Sequence, residues 1–184
     1  NVTHLIARGD RDWVPLHSAE WNDDMHNAAH VLATGEREDY YAPFSDDPLG
    51  HLGRALAEGF SFQGQDQGGD RGARGEPSAH LPPTAFVDFL QNHDQTGNRA
   101  LGERLISLTD ADTLEALTAI LILSPHIPLL FMGEDYGETR PFLFFAHFVG
   151  DLDEAVRAAR RAEFEGVSDF TGKEGRDPIA EETF

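Results

Sequence analysis

The sequence contains no cysteine, only one lysine and no long uninterrupted hydrophobic segment. Without cysteine the chain cannot form a disulfide, a thiolate metal site or a thiol nucleophile. This is compatible with a reducing compartment, and we expect a cytoplasmic protein. The longest apolar stretch, residues 119–132, is interrupted by two prolines, a serine and a histidine. It is also shorter than the ~20 residues of a membrane span, so we expect no membrane partner.

Positive charge is scarce: 14 Lys and Arg stand against 33 Asp and Glu, which gives a formal net charge of −19. Binding to nucleic acid or to an anionic membrane surface requires clustered Lys and Arg, so the acidic balance argues against both partners. Hydrophobic residues make up 40% of the chain, which excludes a disordered protein. The 184 residues suit one domain or part of a larger one.

The hydrophobic pattern predicts strands and helices in alternation. The predicted strands are residues 2–7, 85–91 and 127–132, and the predicted helices are residues 23–32, 49–59, 105–121 and 152–159. Residues 85–91 and 127–132 are nearly continuous apolar runs, which is typical of strands buried on both faces of a parallel sheet. Residues 63–83 are rich in Gly, Gln, Asp and Pro and indicate a long loop. The order of elements predicts an α/β fold.

Polar side chains follow directly after the strand predicted at residues 85–91. Residues 89–99 read Phe-Leu-Gln-Asn-His-Asp-Gln-Thr-Gly-Asn-Arg. Because functional groups project from the C-terminal strand ends of α/β barrels, these side chains are suited to hold a polyhydroxylated ligand, and Gly97 permits a tight turn after them. The alternative is a capped strand–helix turn in which Asp94 and Asn98 only satisfy backbone N–H groups. Five polar side chains at one strand end favour function.

Three further segments have two interpretations each. Residues 131–137 place two carboxylates and a tyrosine after the last predicted strand. They are either ligand-binding groups or the N-terminus of a helix, where acidic side chains are stabilising. Residues 21–26 read Trp-Asn-Asp-Asp-Met-His and could bind a metal, but no known metal-loop spacing is present, so capping with sugar contact fits better. Residues 40–44 read Tyr-Tyr-Ala-Pro-Phe, which is either a platform for stacking on sugar or a loop pinned to the core.

Together these segments resemble the malto-oligosyltrehalose trehalohydrolases, of the α-amylase superfamily of glycoside hydrolases. The segments that carry the resemblance are residues 4–7, 21–26, 34–36, 40–44, 89–99, 102–105, 128–134, 141–145, 177–178 and 183–184. The Asn-His-Asp motif within residues 89–99 is specific to the superfamily. Its continuation as Gln-Thr-Gly-Asn-Arg, together with Trp-Asn-Asp-Asp, is similar to the trehalohydrolase form.

The resemblance implies a partial (β/α)₈ TIM barrel, roughly strands 5 to 8 with their helices, in one domain over residues 1–184 that is truncated at both ends. A complete barrel takes roughly 250 residues. The family nucleophile would then lie before Asn1, and Arg8 occupies the family's acid/base position, where it cannot donate a proton. We therefore expect the isolated chain to be inactive. The alternatives are a branching enzyme or amylase of the same superfamily, or a non-catalytic glucan-binding protein.

The implied activity is retaining hydrolysis of maltooligosyl-trehalose, which releases trehalose in trehalose biosynthesis. Asp94 would be the catalytic transition-state stabiliser, assisted by His93, and no metal or organic cofactor is implied. The implied substrate-binding residues are Tyr40, Tyr41, Ala42, Pro43, Phe44, His93, Gln95, Thr96, Gly97 and Asn98. Because loops at adjacent strand ends open onto one barrel face, we expect residues 40–44 and 93–98 to bind the same ligand.

Overall fold

The computed structural model describes residues 3–6, 17–66, 72–164 and 177–181. The chain divides into two compact units. The first comprises Asn1–Leu90 and Thr109–Met132, and the second comprises Gln91–Leu108 and Gly133–Phe184. None of the helices within the described ranges is long and apolar enough to cross a membrane.

The elements of both units alternate along the chain. In order they are α1 (Thr3–Ile6), β1 (Glu20–Trp21), α2 (Asp23–Thr34), α3 (Pro48–Glu58), β2 (Gln65–Asp66), β3 (Ala73–Arg74), β4 (Phe86–Asp88), α4 (His93–Gly97), α5 (Ala111–Leu123), β5 (Ile127–Pro128) and α6 (Asp151–Phe164). Short 3₁₀ helices cover Ala42–Phe44, Pro83–Ala85, Leu105–Ser107 and Glu134–Tyr136. Among the helices and strands, α4 and α6 belong to the second unit and the others to the first.

A parallel three-stranded sheet of order β1–β4–β5 forms the centre of the first unit. Glu20 pairs with Phe86, and Val87 pairs with Ile127. This sheet, connected through helices, confirms the α/β prediction, while the barrel itself stays a prediction. Within the predicted loop, β2 and β3 form a small antiparallel pair.

The last strand differs from its prediction. Residues 127–132 were expected to be a strand buried on both faces, but β5 comprises only two residues, and Ile127 is 41% exposed. β5 pairs with β4 at an edge of the described part of the sheet, and the exposure of both its residues shows that its faces are only partly covered there. A strand buried on both faces needs neighbours around it, which the hydrophobic pattern alone does not supply.

The first predicted strand is wrong as well, because residues 3–6 form helix α1. Thr3 and Ile6 are buried, which is the spacing of one helical face rather than the alternation of a strand. The Thr3 hydroxyl and the His4 Nδ1 contact the Glu76 carboxylate at 3.0 and 2.9 Å. These hydrogen bonds, that of His4 foremost, lower the pKa of Glu76 to about 2. Residues 3–6 are therefore held by side-chain contacts to a loop, not by pairing with a strand.

Local capping explains where α2 and α3 begin and end. Asn22 caps α2 by accepting from the Met25 N–H at 3.1 Å, directly before the acidic first turn of the helix. Gly35 ends α2 at φ 74°, directly after the last helical residue Thr34, which lies two residues beyond the predicted end at residue 32. Asp47 caps α3, whose first residue is Pro48, and Gly59 follows its last residue.

The other helix boundaries depend on similar signals. The helix predicted from residue 105 begins at Ala111, because Asp110 accepts from the Thr113 N–H at 2.9 Å and starts a new helix there. Residues 105–107 form a separate 3₁₀ turn in the second unit. Helix α6 is longer at both ends than the helix predicted at residues 152–159.

Gly59 is a position where only glycine fits. Its φ is 93°, and a Cβ atom there would lie 2.1 Å from the Phe86 Cζ. The Phe86 ring packs edge-on against the Phe60 ring with centroids 5.2 Å apart, in a core cluster that includes Ile6. The end of α3 therefore approaches strand β4 as closely as the backbone allows.

We predict that Gly59→Ala lowers the free energy of unfolding by about 1–3 kcal/mol, because it combines a strained backbone with overpacking against Phe86. Gly53→Ala is the matched control in the same helix, since nothing lies within 4 Å of the Cβ it would add. Alanine there should raise the stability by roughly 0.5–1 kcal/mol. Urea unfolding of both variants checks the prediction, and equal shifts of the same sign would contradict it.

Candidate functional site

Helix α4 in the second unit starts with a capping box. The Asn92 side chain accepts from the Asp94 N–H at 2.8 Å, and the Gln95 side chain accepts from the Asn92 N–H at 3.0 Å. These two side chains satisfy backbone donors that a short helix leaves open. Gln95, predicted to bind substrate, therefore also supports the backbone of the turn.

The cap leaves His93 and Asp94 at the surface. The Asp94 side chain is 60% exposed, and its Oδ1 lies 3.4 Å from the His93 Nε2. The alternative in which the Asp94 and Asn98 side chains only satisfy backbone N–H groups is wrong, since the side chains of Asn92 and Gln95 take that role. An exposed carboxylate beside an imidazole is thus presented by a fixed backbone.

Gly97 is needed for a different reason than the sequence suggested. Its φ is not in the left-handed region, so no tight turn requires it. Instead, a Cβ atom on Gly97 would lie 2.7 Å from carbon atoms of the Phe144 ring. The same ring lies edge-on to the His93 imidazole, with centroids 6.3 Å apart. Close approach of an aromatic ring, rather than backbone torsion, fixes glycine at this position.

Gln91 joins the segments that follow β4 and β5. Its amide donates to the Glu134 carboxylate at 2.9 Å and accepts from the Leu105 N–H at 2.9 Å. Thr96 lies buried beside it, with its hydroxyl 3.4 Å from the Gln91 Oε1. Glu134 therefore supports the turn from the side, while Asp135 of the same 3₁₀ helix is exposed.

In the first unit, the Trp-Asn-Asp-Asp-Met-His segment is engaged in packing. The buried Asp24 carboxylate accepts from the Arg74 guanidinium at 2.6 Å and from the Phe62 N–H at 2.9 Å. Desolvation raises the pKa of the neighbouring Asp23 carboxyl, and the charge of Arg74 opposes this shift. No group of three metal-ligating side chains is arranged to hold an ion in residues 3–6, 17–66, 72–164 and 177–181.

His26 is buried at the C-terminal end of β4. Its ring stacks on Phe89 with centroids 5.5 Å apart, and its Nδ1 lies 2.6 Å from the Leu90 carbonyl oxygen. Burial lowers its pKa to about 3, and the nearby His30 acts in the same direction. His26 is therefore neutral near pH 7, and its Nδ1–H donates to the strand end.

The aromatic loop, residues 40–44, contains both an exposed ring and a buried ring. Tyr40 is 83% exposed, and Tyr41 stacks on His30 with centroids 4.2 Å apart and planes 9° apart. Phe44 is fully buried and packs edge-on against Phe62, with centroids 5.2 Å apart. The expectation that all three rings face a sugar is therefore corrected for Phe44, which anchors the loop to the core.

Sequence reasoning missed a buried polar network around Asp88. The Asp88 carboxylate accepts from the Asn22 side chain at 2.8 Å and contacts the His126 Nδ1 at 2.9 Å. All three residues are buried. An aspartate inside the apolar run of residues 85–91 was the signal, because a buried carboxylate requires partners.

The predicted loss of the acid/base is not tested by the fold. Arg8 lies outside the described residues. The expectation at residue 8 therefore stays a prediction from the sequence.

Comparison with known proteins identifies the relatives of the chain. No protein-family model matches the sequence. A crystal structure of a candidate alpha amylase from Salmonella typhimurium is 56% identical, with a TM-score of 0.89, and the match covers 97% of this chain and 30% of that one. Malto-oligosyltrehalose trehalohydrolases from Saccharolobus solfataricus and Deinococcus radiodurans are 42% and 38% identical over 79% and 99% of this chain.

In fold and sequence the chain is therefore similar to α-amylase-like proteins. Within that class the relatives are malto-oligosyltrehalose trehalohydrolases, so the resemblance predicted from the motifs is confirmed. The chain spans 26% and 32% of the length of the first two of these relatives.

We predict that His26→Phe makes stability less dependent on pH between about 6.5 and 3. The folded-state pKa of His26 is lowered to about 3, so its contribution is fully present above the unfolded pKa of about 6.5. It is lost as the pH falls, by at most ~1.4 kcal/mol per pH unit. Phenylalanine keeps the stack on Phe89 and removes the titration.

Urea unfolding of the wild type and of His26→Phe at pH 7, 6 and 5 measures this difference. The wild type should lose more stability than the variant over this range. Parallel curves for the two proteins would show that His26 titrates alike in the folded and unfolded states.

Proposed function

We propose that this chain is part of a glycoside hydrolase that cleaves the α-1,4-glucosidic bond next to the trehalose unit of maltooligosyl-trehalose and releases trehalose. The observation that carries the proposal is the α4 turn, in which a capping box holds the backbone and leaves Asp94 exposed beside His93. The similarity to trehalohydrolases at 36–42% identity supports it.

In this proposal Asp94 acts on the transition state. Retaining glycosidases pass through an oxocarbenium-like state in which the sugar ring distorts and gains positive charge. A carboxylate held in place beforehand stabilises that charge without reorganising during the reaction. His93 lies within 3.4 Å of Asp94 and can share the same ring hydroxyls through its imidazole. The nucleophile and the acid/base are assigned to no residue that the structure describes.

Substrate binding is assigned to two kinds of side chain. Asn98 and the free end of Gln95 offer amide groups that discriminate the positions of hydroxyls. Tyr40 and Tyr41 offer aromatic rings, and such rings stack on sugar C–H faces with little dependence on hydroxyl pattern. The cytoplasmic location expected from the sequence stays a prediction.

A second candidate function is hydrolysis of ordinary α-glucans. The 56% identity to the candidate alpha amylase from Salmonella typhimurium favours it. The two activities differ in product, because a trehalohydrolase releases trehalose and an amylase releases maltooligosaccharides. Product analysis of a full-length protein containing this sequence, with maltooligosyl-trehalose and with maltoheptaose, separates them. Binding of both glucans without any product would favour the non-catalytic glucan-binding alternative.

We predict that Asp94→Asn in such a full-length protein lowers kcat by roughly 10²–10³ and changes KM little. The lost interaction is one that strengthens in the transition state, so the loss appears in kcat rather than in KM. Asp112→Asn removes an exposed carboxylate from the first turn of α5 and serves as the matched control. Near-full kcat in Asp94→Asn would show that this carboxylate does not act in the reaction.

We also predict that Tyr40→Ala raises KM several-fold with kcat nearly unchanged, because stacking contributes about equally to substrate and transition-state binding. Tyr40→Phe keeps the ring and should retain the wild-type KM. Steady-state kinetics on maltooligosyl-trehalose test this. An unchanged KM in Tyr40→Ala would leave Tyr40 as a surface residue without a role in binding.

A further inference from the structure

We propose that Arg160 of α6 is a positioning residue, which orients the Asn98 amide toward the bound sugar. This inference rests on the proposed function, because it takes the exposed α4 turn as a ligand-binding element. The Arg160 Nη2 donates to the Gly97 carbonyl oxygen at 2.7 Å, and its Nη1 lies 3.5 Å from the Asn98 Oδ1. One guanidinium thus contacts the last residue of α4 and the residue that follows it.

The contact to Gly97 fixes the backbone of the turn. Carbonyl groups at a helix C-terminus lack partners within the helix, and a cation there is favourable. The Phe144 ring packs against the same glycine, leaving no room for a Cβ atom. The Asn98 N–H in turn donates to the Asp94 carbonyl oxygen at 3.0 Å, which closes the turn. Arg160 and Phe144 therefore hold the backbone from which Asn98 projects.

The second contact selects one orientation of the Asn98 amide. The oxygen and the NH₂ group of an asparagine are nearly equal in shape, so an exposed amide can present either of them. A guanidinium has donors and no acceptor, and it is always charged, so it favours the orientation with Oδ1 toward Arg160. The Asn98 NH₂ group is then directed away from Arg160. Asn98 would consequently donate to a sugar hydroxyl oxygen rather than accept from a hydroxyl.

A second arginine of α6, Arg157, has different partners. Arg157 pairs with Asp153 at 2.6 Å and also with Asp177. The substitution Arg157→Gln serves as the matched control, because it removes the same charge from the same helix. The ion-pair partners of Arg157 lie away from the α4 turn in sequence. An effect that Arg160→Gln and Arg157→Gln share would come from the net charge or from the stability of the helix.

The test uses a full-length protein containing this sequence, with the variants Arg160→Gln, Arg160→Lys and Arg157→Gln. We measure kcat and KM for trehalose release, the Kd for maltoheptaose by calorimetry, and the melting temperature. Arg160→Gln should raise KM and Kd about 3–10-fold, as expected for one lost or misdirected hydrogen bond, with kcat within about twofold. Arg160→Lys should recover part of the loss, since an ammonium can still donate to Gly97 but lacks the planar fork.

A double-mutant cycle with Asn98→Ala shows whether Arg160 acts through Asn98. In the Asn98→Ala background, Arg160→Gln should cause little further loss of affinity, because the amide that it orients is gone. Additive losses would overturn the proposal. So would an unchanged KM and Kd in Arg160→Gln, or equal changes in Arg160→Gln and Arg157→Gln.

The outcomes for the two proposals are separable. If the wild type releases no trehalose but binds maltoheptaose, the proposed reaction fails while the Kd measurements still decide the role of Arg160. If the wild type neither releases trehalose nor binds maltoheptaose, both proposals fail.

Discussion

Asp88 is the buried carboxylate on which the arrangement of the parallel sheet depends. One of its oxygens accepts from the Asn22 side chain, and the other contacts His126, while its backbone carbonyl accepts from the Leu129 N–H at 2.8 Å. Asn22 in turn donates to the Gly59 carbonyl at 2.7 Å and caps α2. Loss of one member of such a network leaves the others buried without partners, which costs more than the hydrogen bond itself. One strand residue thereby fixes the start of α2, the end of α3 and the entry to β5.

In the α4 turn, the side chains that support the backbone are different from those that are exposed to solvent. Along residues 91–98, the side chains of Gln91, Asn92 and Thr96 are buried in contacts with the backbone or with each other. Those of His93 and Asp94 are exposed. Because Asn92 and Gln95 do the capping, the Asp94 carboxylate has no capping bond to give up, and a carboxylate that also caps a helix cannot move its hydrogen bonds to a ligand without loss. The division explains why a dense polar motif can be both rigid and available.

Local signals carried most of what the sequence could predict. The bounds of α2 and α3 follow from cap residues and helical spacing, and the positions of β4 and β5 follow from apolar runs. The errors arise where a distant partner decides. Residues 3–6 form a helix because Glu76 holds them, and Gly97 is required by Phe144. Phe44 is buried because Phe62 and Arg74 pack against it. Periodicity does not contain such contacts, since each depends on how separate elements meet.

The scarcity of lysine has a physical counterpart in the use of arginine. Arg74 donates to the buried Asp24 and lies over the Phe44 and Phe62 rings at 5.4 and 5.3 Å from their centroids. Arg104 is buried and donates to the Arg140 carbonyl at 2.7 Å, and Arg160 donates to the Gly97 carbonyl. Each position uses a planar, weakly hydrated cation with several fixed donors, which stacks on rings and reaches carbonyls in ways a lysine ammonium cannot match. In a chain with 33 acidic residues, these arginines neutralise little of the net charge and instead contact a helix carboxylate, two rings and two backbone carbonyl groups. A change to lysine at any of the three would keep the net charge of −19 and still remove the directional donors that make these contacts.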